Sequence, residues 1–245
     1  MTSDRESATD YAKIQRRSFG ELIEQGTYSP AFDHAQHAKR FVESCVVEAV
    51  ESLSEAKSLS ILDCGCGTGI WLDALRRIPI LASRADDQYY GFDLTPEMIE
   101  LAREKLSEQV PADHLHAGDI LLETSYQFDR PDQQFDLIYA YDVIQQLPPR
   151  LQFAACRLML TRLAPQGVMI LFDHDRYSLY GLRMGAKKWV TRRLRIPLVP
   201  DFYCNAKYPP LASFRRQLGS LGAFSTAIRI APEGSKRALV VRRGR

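Results

Sequence analysis

Ile61-Leu62-Asp63-Cys64-Gly65-Cys66-Gly67-Thr68-Gly69 is the stretch that decides the fold. Leu59-Ser60-Ile61-Leu62 is the short apolar run of a buried strand, and Trp71, Ala74, Leu75 and Ile78 after the glycines recur at helical spacing. Glycines between a strand and a helix let backbone approach a ligand closely. The dinucleotide fingerprint GxGxxG would need its third glycine at position 70, which is Ile70. The spacing here is GxGxG, with an acid two residues before the first glycine.

Working outward, strands and helices alternate. Upstream, a weakly amphipathic helix is predicted from Tyr11 to Gln25, and a clearer one carries Ala38, Phe41, Val42, Cys45, Val46, Ala49, Val50 and Leu53. Downstream, Gln88–Asp93 reads as a strand, and Thr95-Pro96-Glu97 as a helix start with a hydroxyl cap, Pro in the first turn and an acid suited to the helix dipole. His114–Ala117, Phe135–Ala140 and Val168–Asp173 are further strands, and Leu151–Leu163 is a helix. This alternation implies an α/β fold, a doubly wound and mostly parallel sheet with helices on both faces. Phe224–Ile230 and Ala238–Arg242 have no room for a helix between them, so they predict an antiparallel hairpin at the sheet edge. The expected organisation is a single domain: covering helices over 1–55, a cofactor-binding core over 56–175, a basic aromatic lid over 176–210, and a final helix and hairpin over 211–245.

At the glycine loop the chain resembles the class I, Rossmann-like methyltransferases that use S-adenosylmethionine, of the small-molecule type. Asp63-x-Gly65-x-Gly67-x-Gly69 matches their opening motif, Asp93 closes the second strand 24 residues after Gly69, and Gly118-Asp119-Ile120 follows the third. The resemblance runs from about Phe41 to Arg243 and implies a seven-stranded sheet completed by the hairpin. It implies that Asp63, Gly65, Cys66, Gly67 and Gly69 form the cofactor loop, with Asp63 and Gly65 on the methionine part. Asp93 would hold the ribose, Leu94 would pack on the adenine, Asp119 and Ile120 would bind its edge, and Tyr141 would line the sulfonium side. S-adenosyl-L-methionine is then the cofactor and S-adenosyl-L-homocysteine the product. Tyr11 or Tyr28, in the covering segment, is expected to close over the methionine end.

The motif leaves the acceptor open. O-methylation of a small molecule, anionic or partly apolar, is favoured. C- or N-methylation of a lipid-linked or natural-product intermediate, or a non-catalytic cofactor-binding partner protein, are the alternatives. A hydroxyl acceptor must lose a proton, and His174, at the end of the fifth strand, is the candidate base because its ordinary pKa is near 6.5. Asp142, Asp173, His174 and Asp175 also suggest oxygen-rich metal ligation, but the Asp-Asn pair of the catechol-type relatives is missing, so no metal is expected. Gln145-Gln146 stands where many quinone-pathway relatives carry His-His.

The net charge of +2 over 245 residues hides an asymmetry. Residues 176–245 hold 16 Lys and Arg against two acids, a net of +14, and residues 1–175 hold 16 against 28, a net of −12. In the lid, Leu179, Leu182, Ala186 and Trp189 fall on one helical face, crowded by Arg183, Lys187, Lys188, Arg192, Arg193 and Arg195. That composition suits an interfacial helix, a pocket for an anionic acceptor, or an ordinary solvated lid. An anionic membrane surface met through 179–195 is therefore a candidate partner. Nucleic acid is not expected, because no recognition module accompanies the charge. No apolar run approaches the roughly 20 residues of a membrane span. The polar, acid-bearing first residues do not read as a signal peptide, and five cysteines without CxxC spacing fit a reduced, cytoplasmic protein, with peripheral membrane contact as an option.

Overall fold

A computed structural model describes residues 11–17, 19–20, 32–53, 56–196, 198 and 205–244, with side chains of the first long helix from residue 38 onward. Seven strands form one sheet: β1 Ser60–Cys64, β2 Gln88–Asp93, β3 Leu115–Ala117, β4 Phe135–Tyr141, β5 Leu163–Asp173, β6 Phe224–Ile230 and β7 Arg237–Arg243. Their order is β3-β2-β1-β4-β5-β7-β6. The first five strands pair in parallel, and β7 enters antiparallel between β5 and β6. The predicted sheet and hairpin are thus observed.

The strand sequences explain why both faces carry helices. Along β5, Val168, Ile170 and Phe172 enter one core and Met169 and Leu171 the other. A parallel strand covered on both sides must be apolar at consecutive positions. The first core is roofed by α1 (Phe32–Ser52), α2 (Ile70–Arg76), the short α3 (Pro79–Ala82) and α4 (Pro96–Leu106). The second is roofed by α5 (Pro149–Thr161) and α7 (Leu211–Gly219), with α6 (Leu179–Leu194) between them in the chain. Val46 and Ala49 of α1 are fully buried, so this helix is a layer of the core and more than a cover.

Three local expectations are corrected. Strand β5 begins at Leu163, five residues early, because Leu163 pairs with Phe135 and a register shift with Gln166 at φ 65° absorbs the break at Pro165. Helix α5 correspondingly runs from Pro149, where the fixed φ of proline suits a first turn, to Thr161. Thr95 occupies the cap position of α4, yet its hydroxyl makes no cap hydrogen bond and is used on Asp93. Of the helix predicted from Tyr11 to Gln25, residues 11–17 and 19–20 are helical and the rest lies outside the described residues.

Candidate active site

The carboxyl ends of the parallel strands set the site, and the glycine loop between β1 and α2 is its floor. Gly65, Gly67 and Gly69 all take positive φ, at 78°, 52° and 72°. At Gly65 a Cβ would stand 2.4 Å from Val143 Cγ2, so any side chain would collide with the segment after β4. The loop is pinned to β2, where the Phe92 carbonyl accepts from the Gly65 and Cys66 amides at 2.8 and 3.0 Å. Cys66 contributes backbone alone: its thiol is buried against Gly91.

Asp63 is 1% exposed, and among the described residues its Oδ2 has no hydrogen-bond partner. Burial drives its carboxyl well above the usual range; the Tyr139 hydroxyl nearby eases the charge and Asp93 opposes it. A buried carboxylate oxygen without a partner is costly unless a cation or donor completes it. The ammonium of a methionine moiety has that chemistry, so Asp63 fits the group the loop implies.

Asp93 is prepared differently. Its Oδ2 accepts from the Gly67 amide and its Oδ1 from the Thr95 amide, each at 2.9 Å. The Thr95 hydroxyl also serves this carboxylate, whose two oxygens have about four acceptor sites in all. Burial raises its pKa while these bonds hold it down. Asp119 Oδ1 accepts from the Leu121 amide at 2.9 Å, and the carbonyl of buried Ile120 accepts from Tyr126. Gly118 donates to the Asp93 carbonyl, which ties the ends of β2 and β3 together. Arg16 Nε donates to the Leu94 carbonyl at 3.0 Å, so the 11–17 helix lies across this edge. Tyr11 packs against the second core, and burial, then the charges of Asp119 and Asp93, hold its hydroxyl protonated. Tyr28 lies outside the described residues.

On the other side, Tyr141 lies tilted by 40° against Trp71 at 4.5 Å between centroids, and Lys236 Nζ sits 4.6 Å from the Tyr141 ring centre. Lys236 is 5% exposed and pairs with Asp142. Asp142 holds φ 60°, an uncommon setting that Asp tolerates better than most residues, and accepts from Gln145 Nε2 at 2.7 Å. Asp173 is fully buried and receives the amides of His174 and Gln145 at 2.7 and 2.9 Å. Burial and then Asp142 push its carboxyl well up, against Lys236. Asp175 faces Arg237 at 3.4 Å. Among the described residues no three acids, histidines or cysteines converge, and lysine, arginine and backbone amides already serve these carboxylates; the donor set does not suit a metal ion.

His174 Nδ1 lies 2.8 Å from the Ser235 carbonyl, which only a protonated Nδ1 can satisfy. The neutral tautomer therefore leaves the Nε2 lone pair available. Burial, and then the Lys236 charge, push its pKa down to about 4. Tyr180 stacks on the ring at 4.6 Å and Tyr208 flanks it at 5.1 Å. Lys188, buried on α6, donates to the Ala206 carbonyl at 2.8 Å and lies 4.1 Å from the centre of the Tyr208 ring. The return segment is sewn down by Lys207 N to the Gln145 carbonyl and by Gln152 Nε2 to the Lys207 carbonyl. Gln145 thus serves as a structural junction.

The expected cofactor residues gather along one edge, and His174 stands beyond Tyr141. Lys236, Trp71, Tyr180 and Tyr208 were not foreseen as site residues. A signal for Lys236 existed: antiparallel pairing of the hairpin with β5 returns its turn to the carboxyl edge.

Residues 61–167 match the family described as Methyltransferase domain. That stretch holds the glycine loop, Asp93 and Asp119, so the resemblance read from the sequence coincides with the match to a methyltransferase domain. A probable tocopherol O-methyltransferase of Oryza sativa subsp. japonica is 29% identical over 161 residues, 62% of this chain and 41% of that protein. O-methyltransferase 3 of Dictyostelium discoideum is 25% identical over 134 residues, 55% of this chain and 30% of that one. The chain thus spans less than half the length of either relative. Among solved structures, magnesium protoporphyrin IX methyltransferase from Synechocystis PCC 6803 with bound S-adenosylmethionine superposes with a TM-score of 0.60, at 18% identity, over 96% of this chain and 97% of that one. That likeness is one of fold. Asp63, the glycine loop, Asp93 and the 119–120 corner have the chemistry to hold S-adenosylmethionine, the molecule bound in that solved structure.

Proposed function

We propose that this chain methylates an oxygen of a small, anionic or partly apolar molecule, with His174 as the base. The observation that carries the reading is the His174–Ser235 hydrogen bond, which keeps a proton on Nδ1, so that Nε2 is the basic nitrogen of the neutral ring. When bound, S-adenosylmethionine supplies an electrophilic methyl carbon on sulfur and leaves as S-adenosylhomocysteine. Alignment of the acceptor oxygen with that carbon accounts for most of the rate in such a displacement. The acceptor proton becomes strongly acidic as the new C–O bond forms. An imidazole with a pKa of about 4 can therefore take it at Nε2, although it could not ionise a free hydroxyl beforehand.

The surroundings support an anionic acceptor. Buried Lys188 and Lys236 flank the aromatic group of Tyr180, Tyr208 and His174, and the rings supply apolar area. A relative at 29% identity is described as a probable tocopherol O-methyltransferase, which accords with methylation of an oxygen.

The test is His174→Ala against a panel of phenols, enols and carboxylates, with cofactor affinity measured separately. Turnover should fall roughly 10²- to 10⁴-fold on hydroxyl acceptors while cofactor affinity stays within a factor of about two. Full turnover at saturating acceptor removes His174 as base. A carboxylate, which has no proton to lose, should be affected least.

A further inference from the structure

Helix α6 is built inside out. Its inward side carries Gly181, half-buried Met184, buried Lys188 and half-buried Thr191. Gly181 is there because a Cβ would stand 2.2 Å from the Asp175 carbonyl oxygen, so the first turn lies directly on the end of β5. Ser178 caps that turn by accepting from the Gly181 amide at 2.9 Å. The helix orientation is therefore fixed at its start, and its lysine faces the site.

The apolar stripe faces solvent. Leu179 is 76% exposed, Leu182 57% and Trp189 62%, and Ala186 between them is exposed. Tyr177 precedes the stripe, and Leu194, Ile196 and Leu198 extend it, all exposed. Arg183, Lys187, Arg193 and Arg195 stand out among them. An amphipathic helix of a globular core points its apolar side inward, so this one lacks its usual reason for carrying leucine and tryptophan.

We propose that the outward face of α6 docks on an anionic lipid bilayer. Apolar side chains would enter the interface while interleaved cations reach the headgroups, their stems lying along the apolar surface. Charge favours this occupant: Arg183, Lys187 and Arg193 are exposed on α6 and Arg195 just after it, and the helix carries no acid. Tryptophan with leucine is the interfacial pairing. The helix would lie on the surface, since no helix among the described residues is long and apolar enough to cross. Docking there would hold the opposite side of the same helix, with Lys188 and Tyr180, against the membrane-proximal end of the sheet. The proposal stands on exposure and charge, independently of the role given to His174.

The experiment is flotation of the full chain with vesicles of phosphatidylcholine alone or mixed with phosphatidylglycerol, at low and high salt. Leu179→Ser/Leu182→Ser/Trp189→Ser removes the apolar part and Lys187→Glu/Arg193→Glu the charge. Cofactor affinity and melting temperature of each variant, unchanged from wild type, show that the fold is intact. Wild type should bind phosphatidylglycerol vesicles, release with salt, and weaken roughly tenfold or more in both variants. Trp189 emission should shift to the blue on binding, and the shift should vanish in Trp189→Ser. Absence of binding to either vesicle, equal binding to both, or unchanged binding in the variants overturns the proposal. So does a blue shift that follows protein concentration without vesicles, which would assign the face to a second copy.

Discussion

The two halves of this site are built by opposite methods. The cofactor half is local and made largely of backbone: loop 65–69, two amides on Asp93 and one on Asp119. The acceptor half proposed above is assembled from side chains of three distant segments, with His174 after β5, Tyr180, Lys188 and Tyr208 in and after α6, and Lys236 in the hairpin turn. Backbone geometry constrains which residues can stand at each position. Side-chain assembly allows many sequences, so one half can be shared across a family while the other diversifies.

The harshest way to break the comparison is Gly65→Ala. The left-handed setting costs an L residue about 1–2 kcal/mol, and displacing Val143 adds about 1–3 kcal/mol. Thermal unfolding and cofactor titration should show lower stability together with loss of cofactor binding. Little change in either would mean that the loop is not a rigid floor.

Asp63→Asn separates binding from stability. The charged partner of the ammonium is lost, so cofactor affinity should fall roughly 10- to 100-fold, as for a charge-assisted hydrogen bond. Stability without cofactor should move the other way. A carboxyl whose folded pKa is raised favours the protonated form in the fold, so its ionisation destabilises the chain as pH rises from the unfolded value near 4 toward the folded one. The variant should be more stable than wild type at neutral pH and should lose that advantage below about pH 4. Equal loss of affinity and stability would make Asp63 a structural residue.

Legibility in the sequence follows the same division. Strand β1, the glycine loop and Asp93 lie within 34 residues, and their spacing is set by one strand–helix–strand crossover. The hairpin was legible because Phe224–Ile230 and the run after it leave no room for a helix. The early start of β5 was hidden because Pro165 breaks an apolar pattern that a bulge then repairs. The outward turn of α6 was hidden for another reason: spacing defines a face but not what it faces, and Gly181 and Lys188 decide that by contact with Asp175 and Ala206. Lys236 looked like any lysine in a hairpin turn.

The gentlest prediction tests whether the acceptor half is one electrostatic unit. Lys236 is the second cause, after burial, of the low His174 pKa, and it also pairs with Asp142. Lys236→Met keeps the length of the stem and removes the charge. Protonation of His174 then becomes easier, so its pKa should rise from about 4 toward its ordinary value. Turnover needs the unprotonated imidazole, so the acid limb of the pH profile should move to higher pH, with the plateau changed severalfold at most. For an anionic acceptor KM should rise as well, and for a neutral hydroxyl it should not, which separates the two services of one ammonium. An acid limb unmoved by Lys236→Met would mean that the titrating base is some other group, and the acceptor half would have to be drawn without His174 at its centre.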